Sequence, residues 1–189
     1  QELHVETKHS LEQQAARNAD CFTTVSELTA RECTQLLGCT PDVVTPNGFE
    51  LNFVPKGEAF AEQRLSARSA LLKTASALIG YKPASDAFLI ATAGRYEYKN
   101  KGLDLFIDSL RLMKEHYRGK KEIIAFILVP AYIRDARADL QKRLSGLHTE
   151  KTPLPFPLVT HELYHSGDDP VLNHLQAAGI SNEPKDKVK

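Results

Sequence analysis

The chain predicts an α/β fold, in which a parallel sheet carries helices on its faces. Residues 87–93 (AFLIATA) and 123–129 (IIAFILV) are nearly continuous apolar runs, the pattern of strands buried on both faces. Between them Leu103, Phe106, Leu110, Met113 and Tyr117 recur at three-four spacing, with Asp104, Asp108, Lys114 and Arg118 on the other side, as in an amphipathic helix. Strand, helix and strand in that order make a crossover unit, and such units build parallel sheets.

The other elements follow in order. Residues 11–19 are rich in Ala and Gln and read as a helix, and residues 20–25 as a short β-type run. Ser26 is placed as an N-cap, Leu28, Cys33, Leu36 and Leu37 fit one helical face, and Gly38 is a stop. A second short strand over 42–45 runs into the turn signal Pro46-Asn47-Gly48, closing a βαβ-like unit. Residues 51–55 read as a linker. Residues 60–80 read as a helix, with Leu65, Leu71, Leu72, Ala75, Leu78 and Ile79 as its apolar positions. Beyond the central crossover, residues 134–144 predict a polar helix. Pro153, Pro155 and Pro157 each remove a backbone donor and impose an irregular loop. Asp169-Pro170 starts a last helix whose apolar face is Leu172, Leu175 and Ala178, and Gly179 ends it. The tail 186–189 lies where a new strand begins.

Composition narrows the function classes. A chain of 189 residues buries one good core, or one core and part of another. Hydrophobic residues at 42% and charged residues at 25% match folded globular proteins, not disordered or membrane classes. Lys plus Arg and Asp plus Glu both number 24, so no broad attraction to nucleic acid or anionic membranes is expected, and any bound anion needs a local cluster. The three cysteines, Cys21, Cys33 and Cys39, are odd in number and lack Cys-x-x-Cys spacing, which predicts buried free thiols in a reducing cytosol. No apolar run reaches the roughly 18 residues of a membrane span, and no signal peptide is evident. The start at Gln1 suggests a trimmed or internal piece of a longer protein.

The strongest chemical signal is Gly94-Arg95-Tyr96-Glu97-Tyr98-Lys99-Asn100-Lys101-Gly102. Arg95 directly follows the first buried strand and Lys101 stands at the start of the amphipathic helix, so both fall at the carboxyl edge of the sheet. Open parallel sheets bind ligands at that edge, and a helix N-terminus there adds N–H donors and partial positive charge. A guanidinium fork and a compact ammonium converging on one crevice make a diphosphate cradle. The competing reading is that Arg95, Lys99 and Lys101 are solvated charges on a βα loop.

The same stretch, with Ala93 before it and Asp104 and Phe106 after it, resembles the donor-binding signature of the animal and fungal type of glycogen synthase. Phe22-Thr23-Thr24-Val25-Ser26-Glu27-Leu28-Thr29, Asp42-Val43-Val44-Thr45-Pro46-Asn47-Gly48, Thr160-His161 and Asp169-Pro170-Val171-Leu172 resemble further stretches of that family in the same order. Glu12 and Ala15-Ala16 are also in register, so the similarity runs from about Lys8 to the C-terminus. The resemblance implies a Rossmann-like, partial GT-B fold. Residues 1–44 would end the N-terminal GT-B domain and residues 45–189 would begin the C-terminal nucleotide-sugar-binding domain. It implies transfer of glucose from UDP-glucose to an α-1,4-glucan with retention of configuration, without cofactor or bound metal, by a cytoplasmic enzyme. Homo-oligomeric assembly of the full-length parent stays open.

In that register Arg95 and Lys101 match the basic, catalytic pair on the donor diphosphate. Gly94 and Gly102 belong to the same donor-binding stretch. Lys8 falls where the family carries Arg, keeping charge but losing the fork. Asn47-Gly48 would sit at the passage between domains, with a tight turn as the alternative. His161 would precede a cleft loop, or simply anchor it. Tyr96 and Tyr98 can line the crevice, with one of them expected to pack beneath the loop. The family's glycine-rich loop and its Tyr-Glu-Pro-Trp-Gly-type signature are absent, and the chain has no Trp, so the chain alone is expected to be inactive. A non-catalytic nucleotide-sugar or glycan-binding module is the alternative from another class.

His161-Glu162-Leu163-Tyr164-His165 also fits the His-Glu-x-x-His pattern of zinc hydrolases, with Glu183 downstream as a third ligand. That chemistry needs both histidines on one face of a stable helix. The prolines before it and Gly167 and Pro170 after it leave barely two turns, so a histidine-bearing loop is the expectation here.

Overall fold

The computed structural model of the chain describes residues 4–146, 151–155, 157–180 and 186–189. It divides into two compact units, residues 1–56 and 57–189. Among the described residues no helix is long and apolar enough to cross a membrane.

In the first unit α1 (Glu6–Asn18) precedes β1 (Thr23–Thr24), α2 (Glu27–Leu37) and β2 (Val43–Val44). Thr23 lies opposite Val43 and Thr24 opposite Val44 in a parallel pair, so the crossover unit forms as the sequence predicts. α2 starts where Ser26 Oγ accepts from Thr29 N at 3.1 Å, and it stops at Gly38, whose φ of 63° is left-handed. Gln13 Nε2 donates to Leu37 O at 3.0 Å, satisfying a carbonyl orphaned at the end of α2. Two expectations are corrected here. Cys21 is exposed and Cys33 and Cys39 are half-buried, all as free thiols, because α2 contributes no buried residue that would close over them. The tight turn at Pro46-Asn47-Gly48 does not form, since residues 45–50 make no turn and Gly48 lacks a left-handed φ. A short 3-10 helix, Leu51–Phe53, follows.

In the second unit α3 (Gly57–Ile79) leads to β3 (Phe88–Ala93), α4 (Leu103–His116) and β4 (Ile123–Leu128). β3 and β4 are parallel and in register from Phe88 opposite Ile123 to Ala93 opposite Leu128. Alternate residues of β4 serve two layers. Ile123 and Ala125 pack with Leu110 and Met113 of α4, whereas Ile124 and Phe126 pack with Leu72 and Ala75 of α3. This is the helix-covered parallel sheet the apolar runs predict, but the cover is partial. Phe88 is 56% and Leu128 49% exposed, so neither strand is buried on both faces along its whole length, and β3 has a partner on one side only among the described residues. Ile107 belongs to the buried stripe of α4 with Leu103 and Leu110, although the three-four count passes over it.

Val188 bridges Ile123 in parallel, and Ile123 N donates to Lys187 O at 2.7 Å, so the tail begins another strand beside β4 as expected. Lys189 is buried there, with Nζ 2.7 Å from Glu122 Oε1, and the Tyr81 hydroxyl donates to the same carboxylate. Burial pushes the Glu122 carboxyl up, but the bonds from Lys189 and Tyr81 outweigh it and hold the group below its ordinary value. A depressed carboxyl adds stability that is present above the unfolded value near ~4.3 and is lost as pH falls through the folded value. Thermal melts between pH 7 and 3 are therefore expected to show a falling midpoint in acid, shallower in Glu122→Gln. Equal acid slopes in the two proteins would contradict this.

The polar helix expected over 134–144 is only half formed. β5 (Ile133–Ala136) pairs antiparallel with β6 (His161–Leu163), and helix α5 is confined to Ala138–Leu144. The pairing partner lies far along the chain, so no local pattern announces it. Arg137 secures the junction, with Nε 2.8 Å from Asp139 Oδ1, Nη1 donating to Pro157 O at 2.6 Å and Nη2 to Pro155 O at 2.8 Å. Those carbonyls belong to the irregular proline segment, whose described residues form neither helix nor strand, as predicted; Phe156 lies outside the described residues. A short 3-10 helix, Ser166–Asp168, and α6 (Pro170–Ala177) complete the unit.

Candidate functional site

β3 ends at Ala93, and Gly94 N donates to Leu128 O at 3.3 Å, so the loop 94–102 leaves the sheet at the carboxyl edge of the parallel pair. Gly102 closes the loop with a left-handed φ of 63° as the residue before α4. A side chain there would strain the backbone by about 1 kcal/mol. Within the loop Lys101 N donates to Glu97 O at 2.9 Å and Gly102 N to Lys99 O at 3.0 Å.

The chain doubles back so far that Tyr98 O accepts from Leu103 N at 3.1 Å and Asp104 N at 3.4 Å. The expectation that the N-terminus of α4 offers free N–H donors is thereby corrected for these two groups. What remains for an anion is the positive pole of the helix and the side chains.

Arg95 is 76% exposed, and its Nε lies 3.1 Å from Glu97 Oε1. The Lys101 side chain is exposed and has no ion-pair or hydrogen-bond partner among the described residues. Lys99 is different, because its Nζ donates to Asp104 Oδ2 at 2.8 Å. That bond holds the Asp104 carboxyl below the ordinary range and raises the Lys99 ammonium. Lys99 and Arg95 are thus exposed charges that each have a carboxylate beside them, Arg95 through Nε alone, whereas Lys101 has none among the described residues.

Both loop tyrosines turn inward. The bend at 96 and the turn from 98 bring both rings over one apolar cluster, so the expectation that only one packs beneath the loop is corrected. They pack with Leu103, Ile107 and Val171. The Tyr96 hydroxyl donates to Asp169 Oδ2 at 2.6 Å, and Asp169 Oδ1 caps α6 by accepting from Leu172 N at 2.9 Å. Burial, then the bond to Asp169, pushes the Tyr96 hydroxyl well above its ordinary value. The Tyr98 hydroxyl lies 2.8 Å from His174 Nδ1. The sequence marks Asp169 as a helix start and as part of a family-like stretch but gives it no role at the loop, and it does not mark His174 at all.

His161 sits in β6, half-buried, with Nδ1 2.9 Å from Thr160 Oγ1. It lines a largely apolar cavity of about 270 Å³ beside β4, together with Tyr96, Val129 and Asp169. The structure thus brings His161 and the underside of the 94–102 loop to one cavity. Because His161–Leu163 is a strand, the His-Glu-x-x-His pattern lacks the helix its chemistry needs, and His165 instead stacks against Tyr132 with ring centroids 6.2 Å apart. Glu183 lies outside the described residues. Lys8 (α1), 77% exposed and 3.7 Å from Glu12, and the exposed Asn47 and Gly48 belong to the first unit, whereas Gly94, Arg95, Lys101, Gly102 and His161 belong to the second.

The profile of the glycogen synthase family matches residues 2–139. The chain is similar to a glycogen [starch] synthase of Dictyostelium discoideum, 34% identical over 96% of this chain and 27% of that protein. It is also similar to one of Neurospora crassa, 27% identical over 96% of this chain and 34% of that protein. Isoform 2 of Saccharomyces cerevisiae is 29% identical over 96% of this chain and 35% of its own length. The chain therefore spans about a third of the length of the relatives it matches.

Proposed function

The chain belongs to the glycogen synthase family, and on that premise we propose that its full-length protein transfers glucose from UDP-glucose to the end of an α-1,4-glucan, with Arg95 and Lys101 holding the donor diphosphate. The observation that carries this reading is the exposed Arg95, and Lys101 with no partner among the described residues, on one βα loop at the carboxyl edge of a parallel strand pair. In the transfer the bond from the sugar C1 to the β-phosphate oxygen breaks, and C1 bonds to an acceptor hydroxyl. The hydroxyl proton and the departing UDP leave as the second product. Negative charge grows on the diphosphate as that bond breaks, so fixed cations there lower the barrier without a metal.

Gly94 and Gly102 shape the loop, and His161 anchors the cavity wall. Residues 1–44 close the N-terminal GT-B domain and residues 45–189 open the C-terminal one, with configuration retained at C1. A cytoplasmic enzyme follows from the same reading.

The test is an assay of the full-length protein with UDP-glucose and glycogen. UDP release is expected to match glucose incorporated into glucan, with ADP-glucose a poorer donor. Donor binding without transfer would overturn the enzymatic reading in favour of a binding module.

A further inference from the structure

We propose that His174 is a positioning residue for the loop bearing Arg95 and Lys101, acting through the hydroxyl of Tyr98. This rests on the diphosphate reading of that loop. His174 stands on α6 with Nδ1 2.8 Å from Tyr98 Oη, and its Nε2 lies 3.3 Å from Asp108 Oδ1 on α4. The rings of Tyr98 and His174 also meet edge to face, with centroids 6.0 Å apart and planes at 80°.

The Tyr98 hydroxyl can donate to a bare Nδ1 or accept from Nδ1–H, so the link to α6 holds with either role.

The tie sets the loop because the tyrosines are interleaved with the cations along a short, tightly bent segment. The loop bends at Tyr96, where Glu97 N donates to Arg95 O at 2.8 Å, so with Tyr96 and Tyr98 held inward the adjoining Arg95 stays on the exposed side. Tyr96 makes the second link to α6 through Asp169, the residue that starts that helix. Arg95 and Lys101 have no anchor on α6 of their own among the described residues, so these hydroxyl links fix where the cations point. Satisfying half-buried hydroxyls would need only some partner; here both partners sit at one short helix, Asp169 as its N-cap and His174 within it, which ties the loop to that helix at two points.

The experiment is a double-mutant cycle in the full-length enzyme, with UDP-glucose and glycogen as substrates and Arg95→Ala as reference. Tyr98→Phe removes one oxygen and keeps the ring; His174→Phe keeps an aromatic ring without its nitrogens. Each is expected to lower kcat/KM for UDP-glucose roughly 10- to 100-fold, as misplacement of a catalytic group does, with the KM for glycogen unchanged. The double variant is expected to fall no further than the singles, because both remove the same link. Unchanged single variants beside a crippled Arg95→Ala, or losses that multiply in the double, would overturn the positioning role. If His174→Phe does not fold, Tyr98→Phe alone decides. An unaffected Arg95→Ala would instead overturn the diphosphate reading, and this proposal with it.

Discussion

Lys101→Ala in the full-length enzyme is expected to lower kcat for glucose transfer about 10²–10³-fold, a loss of about 2.7–4 kcal/mol of transition-state stabilisation. The size follows from what the group does in the proposed reaction. A cation that meets the diphosphate only as charge builds on it stabilises the transition state more than the bound donor. Lys101 is suited to that part because no carboxylate competes for it among the described residues. Lys99, five residues from Asp104 and bonded to it at 2.8 Å, is already neutralised, so Lys99→Ala is expected to change kcat far less. Arg95 meets Glu97 through Nε only, which leaves both Nη groups for a phosphate, so Arg95→Ala should resemble Lys101→Ala. Arg95→Lys should recover only part of the loss, because an ammonium lacks the planar fork. Initial rates at saturating glycogen and varied UDP-glucose read these effects, and unchanged turnover in Lys101→Ala would remove the residue from the site.

Gly80→Ala is expected to destabilise the fold by about 3 kcal/mol or more, from two separate penalties. Gly80 has a φ of +76°, a left-handed conformation that strains any L side chain by about 1–2 kcal/mol. An added Cβ would also overlap the backbone of Thr152 and approach Pro153 N to 2.6 Å, and overpacking costs a further ~1–3 kcal/mol. The neighbouring strand of chain is not free to retreat. Leu154 N donates to Leu78 O at 2.7 Å, and Arg143 Nη1 donates to Thr152 O at 2.6 Å and Ala77 O at 3.0 Å. Gly57 is the control, with a φ of +58° and open space around its Cβ position, so Gly57→Ala carries the strain alone. Denaturant midpoints of the two variants should separate accordingly. Equal midpoints would show that the 152–153 segment yields.

Much of the fold is legible because its signals are local. Ser26 and Gly38 bound α2 through bonds made within a few residues, and Asp169 with Pro170 starts α6 in the same way. The paired apolar runs announce β3 and β4 because burial between helical layers demands side chains of that kind. β5 is illegible for the opposite reason. Residues 133–136 have the polarity of a surface helix, and only pairing with 161–163 turns them into a strand. The exposure of Phe88, Leu128 and the cysteines likewise depends on what covers them, which no run of residues records.

By itself the sequence determined the crossover units, the helix ends and the basic loop between β3 and α4, since each rests on spacing, capping or φ preference within a short window. Only the tertiary structure decided which of the loop's charges are paired. It engaged Lys99 with Asp104, folded Tyr98 O back onto the first N–H groups of α4, and tied both tyrosines to α6. Tyr98 and His174 stand 76 residues apart, and contacts across that separation depend on how packed helices bring side chains together, not on any pattern along the chain.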